Sequence, residues 1–167
     1  IFTTFNSSIE DSEGIANAIW LNSVLPHRIA AWAQSKQARV FQFSTDCVFD
    51  GAKGHYCETD PFSARDVYGL SKALGELSEE QGHCLTLRSS FVGPELVHKT
   101  QLLEWFLGQK GKTIRGFRQA IYSGLTTWVL ANLVGDLIEK FPQLNGLYQV
   151  AGPMINKYEL LCQMREV

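Results

Sequence analysis

Short apolar segments rich in β-branched and aromatic residues alternate along this chain with stretches of helical periodicity, and that alternation admits few folds. Over residues 15–34 the apolar positions Ile15, Ile19, Leu25, Ile29 and Trp32 recur at helical spacing, with Pro26 an expected kink. The segment RVFQFS, residues 39–44, suits a short buried strand that stops at Thr45. Residues 50–66, with Gly51, Gly54, Pro61 and scattered charge, read as a long loop, and loops of that length in compact domains usually serve function. A second helix is expected from Val67 to Glu80, with Gly82 marking its end, followed by a strand over residues 84–87 that stops at Arg88-Ser89-Ser90. Such alternation argues for parallel strands joined by helical crossovers, an α/β open sheet with ligands at the carboxyl ends of its strands.

The ends of the chain add detail. Residues 1–4 could end a strand, and residues 6–13 form a polar stretch whose acidic residues suit a helix N-terminus. After Gly93-Pro94, Leu102, Leu103, Phe106 and Leu107 mark a helix, and a basic stretch from Gly108 to Gly116 leads to a loop and short strand around Tyr122-Ser123-Gly124. Leu130, Leu133, Leu137, Ile138 and Phe141 give the cleanest amphipathic helix, residues 146–151 a third short strand, and residues 158–167 a final helical run. The chain opens on Ile1 rather than Met and stops inside that run, so it is expected to be a piece of a longer protein.

At 167 residues and 45% hydrophobic, the chain can bury a core and is not a disordered segment. Fifteen Lys and Arg against 17 Asp and Glu leave a net charge of −2, which supplies no field to hold nucleic acid or an anionic membrane. The longest apolar stretch, residues 127–141, carries Asn132, Asp136 and Glu139, so no membrane span is expected. Cys47, Cys57, Cys84 and Cys162 follow no metal-ligand spacing, and free thiols in a reducing cytoplasm are expected, with no metal site.

Tyr68 and Lys72 lie four apart on the predicted helix, so both side chains project from one face. A phenol is a poor proton donor at neutral pH, and a neighbouring ammonium makes it a better one by favouring phenolate. The spacing alone is weak, because a Tyr and a Lys four apart arise often by chance. Ser44 and Thr45 end the preceding strand, where hydroxyls point into the crevice above the sheet, and Asn22 lies on the buried stripe of the preceding helix. Together these make a polar set for reducing a ketone or oxidising an alcohol.

STDCVFDG at residues 44–51, ETD at residues 58–60 and VYGLSKALGE at residues 67–76 form an ordered series. It resembles the extended short-chain dehydrogenase/reductase superfamily, and within it most closely the dTDP-4-dehydrorhamnose reductase family. The resemblance runs from about Glu10 to Leu161 and takes in LRSSFVG at residues 87–93 and GLYQVAG at residues 146–152. It implies a Rossmann-like doubly wound parallel sheet, present in part, with part of a small C-terminal substrate-binding region. Residues 1–95 would form the C-terminal half of an NAD(P)-binding domain. Residues 96–167 would mix substrate-binding and returning Rossmann elements.

By the same resemblance Tyr68 is the general acid, Lys72 its pKa-lowering and ribose-binding partner, Thr45 the substrate-carbonyl hydroxyl, and Asn22 the helix asparagine of a proton path or a satisfied core amide. Ser44, Ser89 and Ser90 would join Tyr68 and Lys72 in contacting NADP(H) or NAD(H). Arg88 is either a neighbour of the nicotinamide or a structural ion-pair partner. Cys47, Phe91, Arg115, Arg118 and Tyr122 would join Thr45 in contacting a nucleotide-sugar substrate, with guanidinium groups suited to a pyrophosphate. Cys47 stands where the family commonly has Tyr, and Phe91 where it often has Trp. Asp46 is followed by Cys47 rather than by the Glu of the related dehydratases, which disfavours dehydration.

The implied function is reduction of the 4-keto group of a nucleotide-linked 6-deoxy sugar, as in dTDP-rhamnose and cell-surface polysaccharide biosynthesis, in the cytoplasm. The alternatives are a nucleotide-sugar epimerase and a non-catalytic binding subunit similar to the regulatory subunit of methionine adenosyltransferase. No G-x-x-G-x-x-G loop joins a strand to a helix here, so the chain alone is expected to bind dinucleotide poorly and to lack activity. Exposed sheet edges and apolar faces favour self-association, and a homodimer stays open.

Overall fold

The computed structural model describes residues 11–97 and 101–166; the strand end expected at residues 1–4 lies outside them. In chain order the elements are α1 (Ser12–Ala18), a π-helical turn (Ile19–Val24), α2 (Leu25–Ser35), β1 (Val40–Ser44), a 3-10 turn (Asp46–Val48) and α3 (Val67–Leu74). A second 3-10 turn (Glu79–Gln81), β2 (Cys84–Arg88), β3 (Phe91–Val92), α4 (Leu102–Leu107), β4 (Ile121–Tyr122) and β5 (Leu125–Thr126) follow. The chain ends with α5 (Thr127–Lys140), β6 (Gly146–Gln149), β7 (Ile155–Asn156) and α6 (Lys157–Glu166). They form two compact units, one built from the described residues up to Ser89 with Pro142–Val150, the other from Ser90–Phe141 with the described residues from Ala151 on.

The first unit holds a three-stranded parallel sheet in the order β1-β2-β6, covered by helices, as the alternation requires. All five residues of the central strand β2 are buried. Leu77, Cys84 and Ala30 pack with Val40 in one apolar cluster, and Val48, Phe49 and Ala73 pack with Tyr56 in another.

The long first helix is one run broken in its middle. Asp11 caps its start by accepting from the Gly14 amide at 2.7 Å. Pro26 brings no N–H for the Asn22 carbonyl four residues back, and the chain answers with the π-turn upstream, where the Leu25 amide reaches Trp20. The expected kink at Pro26 is therefore a widened turn over Ile19–Val24, centred on the buried Asn22 and Ser23.

The helix expected over residues 67–80 is shorter, ending at Leu74 with Gly75 as its cap. The side-chain amide of Gln42 on β1 donates to the Gly75 carbonyl at 2.7 Å and accepts from the Leu77 amide at 3.0 Å. Those bonds replace the helical ones. The loop over residues 50–66 contains no helix or strand, as expected, and is pinned internally by the Lys53–Asp60 ion pair at 2.6 Å and by the Tyr56 hydroxyl donating to Asp50 at 2.8 Å.

In the second unit β3 pairs with β5 in parallel and β4 with β7 antiparallel. The Thr126 hydroxyl caps α5 by accepting from the Val129 amide; Leu130 is the buried residue of α5 and Leu161 that of α6. The two-residue strands β3 and β7 are too short for any periodicity to announce. No helix among the described residues is long and apolar enough to cross a membrane.

Candidate active site

At the carboxyl end of β1 the chain turns sharply through Thr45, whose hydroxyl accepts from the Cys47 amide at 3.2 Å and caps the 3-10 turn. That turn abuts the start of α3. The Asp66 side chain caps α3 by accepting from the Gly69 amide at 2.9 Å, and a β-carbon on Gly69 would stand 2.3 Å from the Cys47 carbonyl. Glycine is what lets the two backbones approach. At the other end of α3 a β-carbon on Gly75 would stand 1.8 Å from the Asn22 carbonyl, so α3 is seated between the Thr45 turn and the π-turn.

Held this way, α3 points Tyr68 and Lys72 back toward β1. Burial pushes the half-buried Tyr68 phenol up to about 12; the Thr45 hydroxyl, its hydrogen-bonding neighbour, pulls the other way, and Cys47, Asp46 and Asp66 add to the rise. Lys72 is 4% exposed, and its ammonium donates to the Phe43 carbonyl at 2.7 Å. Burial lowers the Lys72 pKa, while the Glu76 carboxylate opposes it. The ammonium is expected to lower the phenol, but here it is turned to Phe43, and burial decides the balance at Tyr68. The phenol is thus protonated at neutral pH.

Asn22 is 1% exposed and donates from Nδ2 to the Ser71 hydroxyl at 3.1 Å, while Ser23 donates to the Ser71 carbonyl at 2.7 Å. The expected helix asparagine therefore lies against α3 one residue before Lys72. Ser44 is buried, and its hydroxyl donates to Glu76 Oε1 at 2.5 Å, so its proton is directed at the carboxylate just past the end of α3. Ser89 is buried at the end of β2. Arg88 forms a two-pronged ion pair with Glu76, Nε to Oε1 at 2.8 Å and Nη2 to Oε2 at 2.7 Å, with the Phe49 ring 5.0 Å from its guanidinium carbon. That is the ion-pair role among the two expected for it.

Cys47 is exposed beside an open groove of about 490 Å³ lined by Cys47, Phe49, Asp50, Ala64, Arg65 and Asp66. Partial burial of its sulfur raises the thiol pKa, with Asp46 and Asp66 acting in the same direction and the Thr45 hydroxyl against it.

The other expected substrate contacts belong to the second unit. Ser90 accepts from the Leu125 amide at 2.9 Å, and Phe91 pairs with Leu125 and is 54% exposed. Arg115 is exposed, and the Arg118 guanidinium stacks 4.1 Å from the centre of the Tyr158 ring. The Tyr122 hydroxyl is buried over Gly124. Thus Thr45, Tyr68, Lys72, Asn22, Ser44 and Cys47 come together in the first unit, whereas Ser90, Phe91, Arg115, Arg118 and Tyr122 lie in the second.

A family model described as the RmlD substrate binding domain matches residues 4–153. The chain belongs to this family. A curated dTDP-4-dehydrorhamnose reductase from Burkholderia thailandensis is 39% identical over 85 residues, which are 49% of this chain and 28% of that protein. Among solved structures, a hypothetical dTDP-4-dehydrorhamnose reductase from Sulfolobus tokodaii is 27% identical with a TM-score of 0.76, covering 95% of this chain and 55% of its own. The dTDP-4-dehydrorhamnose reductase of Bacillus anthracis, solved in complex with NADP, is 20% identical with a TM-score of 0.80, covering 98% of this chain and 59% of its own. The α/β Rossmann-like fold expected from the sequence is the fold these structures share. The chain spans well under two thirds of each of these relatives.

Within this RmlD-type chain, sequence reasoning passed over Glu76, Gln42 and Thr86. Gln42 and Thr86 had a signal, since VFQFS and CLTLR place their polar residues at alternate positions, which in a strand puts those side chains on one face; Glu76, outside both strands, had none.

Proposed function

We propose that the intact protein reduces the 4-keto group of a nucleotide-linked 6-deoxy sugar with a nicotinamide cofactor, NADPH or NADH, and that Tyr68 is its proton donor. The observation that carries this reading is the hydrogen-bonding contact of Tyr68 with Thr45 at the carboxyl end of β1, the strand whose Phe43 carbonyl holds the buried Lys72 ammonium. Membership of the RmlD family and the likeness to named dTDP-4-dehydrorhamnose reductases support it.

The donor set fits a nicotinamide ribose. Lys72 uses one of its three N–H groups on Phe43, which leaves two for ribose hydroxyls, and the residue is 4% exposed. Bound there, a reduced nicotinamide supplies the hydride that the reaction needs. Thr45 donates to the substrate carbonyl oxygen and orients it toward the phenol. Tyr68, held protonated by burial, passes its proton to that oxygen as negative charge develops, an alkoxide being the stronger base. The groove beside Cys47 supplies room for the sugar, and its Arg65 supplies a cation for a phosphate oxygen.

The reading is tested by following NADPH absorbance on the intact protein with a dTDP-4-keto-6-deoxyhexose, beside Tyr68→Phe. Wild-type oxidation that falls roughly 10²- to 10⁴-fold in the variant, with the fold unchanged, supports Tyr68 as the proton donor. NADPH binding without consumption by the wild type rejects the reductase reading in favour of a binding subunit.

A further inference from the structure

Strands covered by helices in a parallel sheet are ordinarily apolar on both faces. Here one face of β1 and β2 is polar. Gln42 stands beside Thr86 in register and Ser44 beside Arg88, so all four share the face that meets the end of α3. Gln42 holds the Gly75 carbonyl and the Leu77 amide, and Thr86 donates to the Leu77 carbonyl at 2.8 Å. The strongest part of this seam is Glu76. Its carboxylate, 5% exposed, accepts from Ser44 at 2.5 Å and from Arg88 at 2.8 and 2.7 Å.

Glu76 lies two residues beyond Leu74, the last residue of α3, in the turn that closes the helix: the Gly75 amide donates to the Lys72 carbonyl at 3.1 Å and the Glu76 amide to the Ala73 carbonyl at 3.3 Å. A carboxylate pinned by both strands fixes the rotation and the depth of that turn. Lys72 meets Phe43 on β1, the residue immediately before the Ser44 that holds Glu76. We propose that Glu76 is a positioning residue for Lys72, setting through Ser44 and Arg88 the register at which the Lys72 ammonium reaches the Phe43 carbonyl. Its charge has a second effect, opposing the loss of the Lys72 proton that burial favours. That the placement of Lys72 matters to turnover rests on the reductase reading above; that Glu76 sets it does not.

The test separates the two. In the intact protein, the side-chain ¹³Cε resonance of Lys72, assigned by its loss in Lys72→Arg, is recorded at one neutral pH in wild type, Glu76→Ala and Glu76→Gln. Glu76→Ala is expected to shift that resonance away from its wild-type position, and Glu76→Gln, which keeps an acceptor for Ser44, to leave it between the two. On the keto-sugar, kcat is expected to fall roughly ten- to a hundredfold in Glu76→Ala with KM for the sugar little changed, and to recover in part in Glu76→Gln. An unmoved Lys72 resonance in folded Glu76→Ala overturns the proposal, whatever the turnover. If Glu76→Ala does not fold, Glu76→Asp keeps the charge and shortens the arm by one methylene; the same shift supports the proposal and its absence overturns it. Wild type without turnover rejects the reductase reading and leaves the resonance to decide the role of Glu76.

Discussion

Gly75 lies so close to Asn22 that a β-carbon on it would stand 1.8 Å from the Asn22 carbonyl oxygen and 2.8 Å from its carbon. The contact joins the end of α3 to the π-turn that Pro26 induces, and backbone on both sides leaves nothing flexible to yield. Gly75→Ala must therefore push α3 off the π-turn, at a cost of about 1–3 kcal/mol by the measure of overpacked cores. The expected outcome is a lower Tm together with weakened hydrogen exchange protection at Ser71 and Lys72. A Tm equal to the wild type would show that the two helices separate without penalty.

Alkaline pH acts on Tyr68 and Lys72 in opposite senses. The Tyr68 phenol, near 12 when folded against about 10 when unfolded, holds its proton more tightly in the native chain. The stability this contributes is whole below about pH 10 and is lost as the pH rises through about 12. Burial lowers Lys72 in the folded chain, so the native state sheds that proton first, and stability rises with pH just below the usual lysine value of 10.5. Urea midpoints taken from about pH 8 to about pH 12 measure both. Relative to wild type, Tyr68→Phe is expected to lose less stability at the alkaline end, and Lys72→Met to lack the rise that precedes it. Curves parallel to the wild type would contradict both assignments.

The elements that sequence patterning foresaw are those whose signals are local. Tyr68 and Lys72 at helical spacing, the strand end at Thr45 and the amphipathic run that became α5 each carry their own pattern within a few residues. The π-turn hid because its cause, Pro26, acts on a carbonyl four residues upstream, so the disturbance appears away from the residue that makes it. The loop over residues 50–66 was legible only as a loop. Its fixing depends on Glu58 accepting from the Gln149 amide at 2.8 Å and on Gln149 Nε2 donating to the Tyr56 carbonyl at 3.3 Å, partners about ninety residues apart. Glu76 was missed because its value lies in Ser44 and Arg88, on two different strands, and only the register of β1 on β2 brings those together.

Arg88 and Glu76 form a buried pair, with side chains 3% and 5% exposed, and Arg88 Nη1 is buried without a hydrogen-bond partner among the described residues. Such a pair is costly to break from one side, because the remaining charge stays desolvated. Arg88→Met alone is expected to cost about 3–5 kcal/mol of unfolding free energy. Adding Glu76→Gln removes the stranded carboxylate while keeping an acceptor for Ser44, and is expected to restore most of that loss. A double-mutant cycle in urea checks the coupling. Losses that simply add would mean that the two side chains do not act as a pair.

Cys47 and Cys84 separate exposure from reactivity. Cys84 is fully buried in β2, so alkylation by iodoacetamide is expected only as the chain unfolds. Cys47 is exposed, yet its thiol is raised above its usual value near 9, by partial burial first and by Asp46 through both charge and a hydrogen bond from Sγ at 3.7 Å. The thiolate is the reacting form, so Cys47 is expected to label slowly at neutral pH and to quicken as the pH passes 9. Asp46→Asn removes a charge that disfavours the thiolate and is expected to speed labelling at neutral pH. Thr45→Val removes the hydroxyl that acts in favour of the thiolate and is expected to slow it. Peptide mass spectrometry of the labelled chain reads each rate at Cys47 separately. Slower labelling in Asp46→Asn would show that access to the sulfur, and not its ionisation, limits the reaction in the groove it lines.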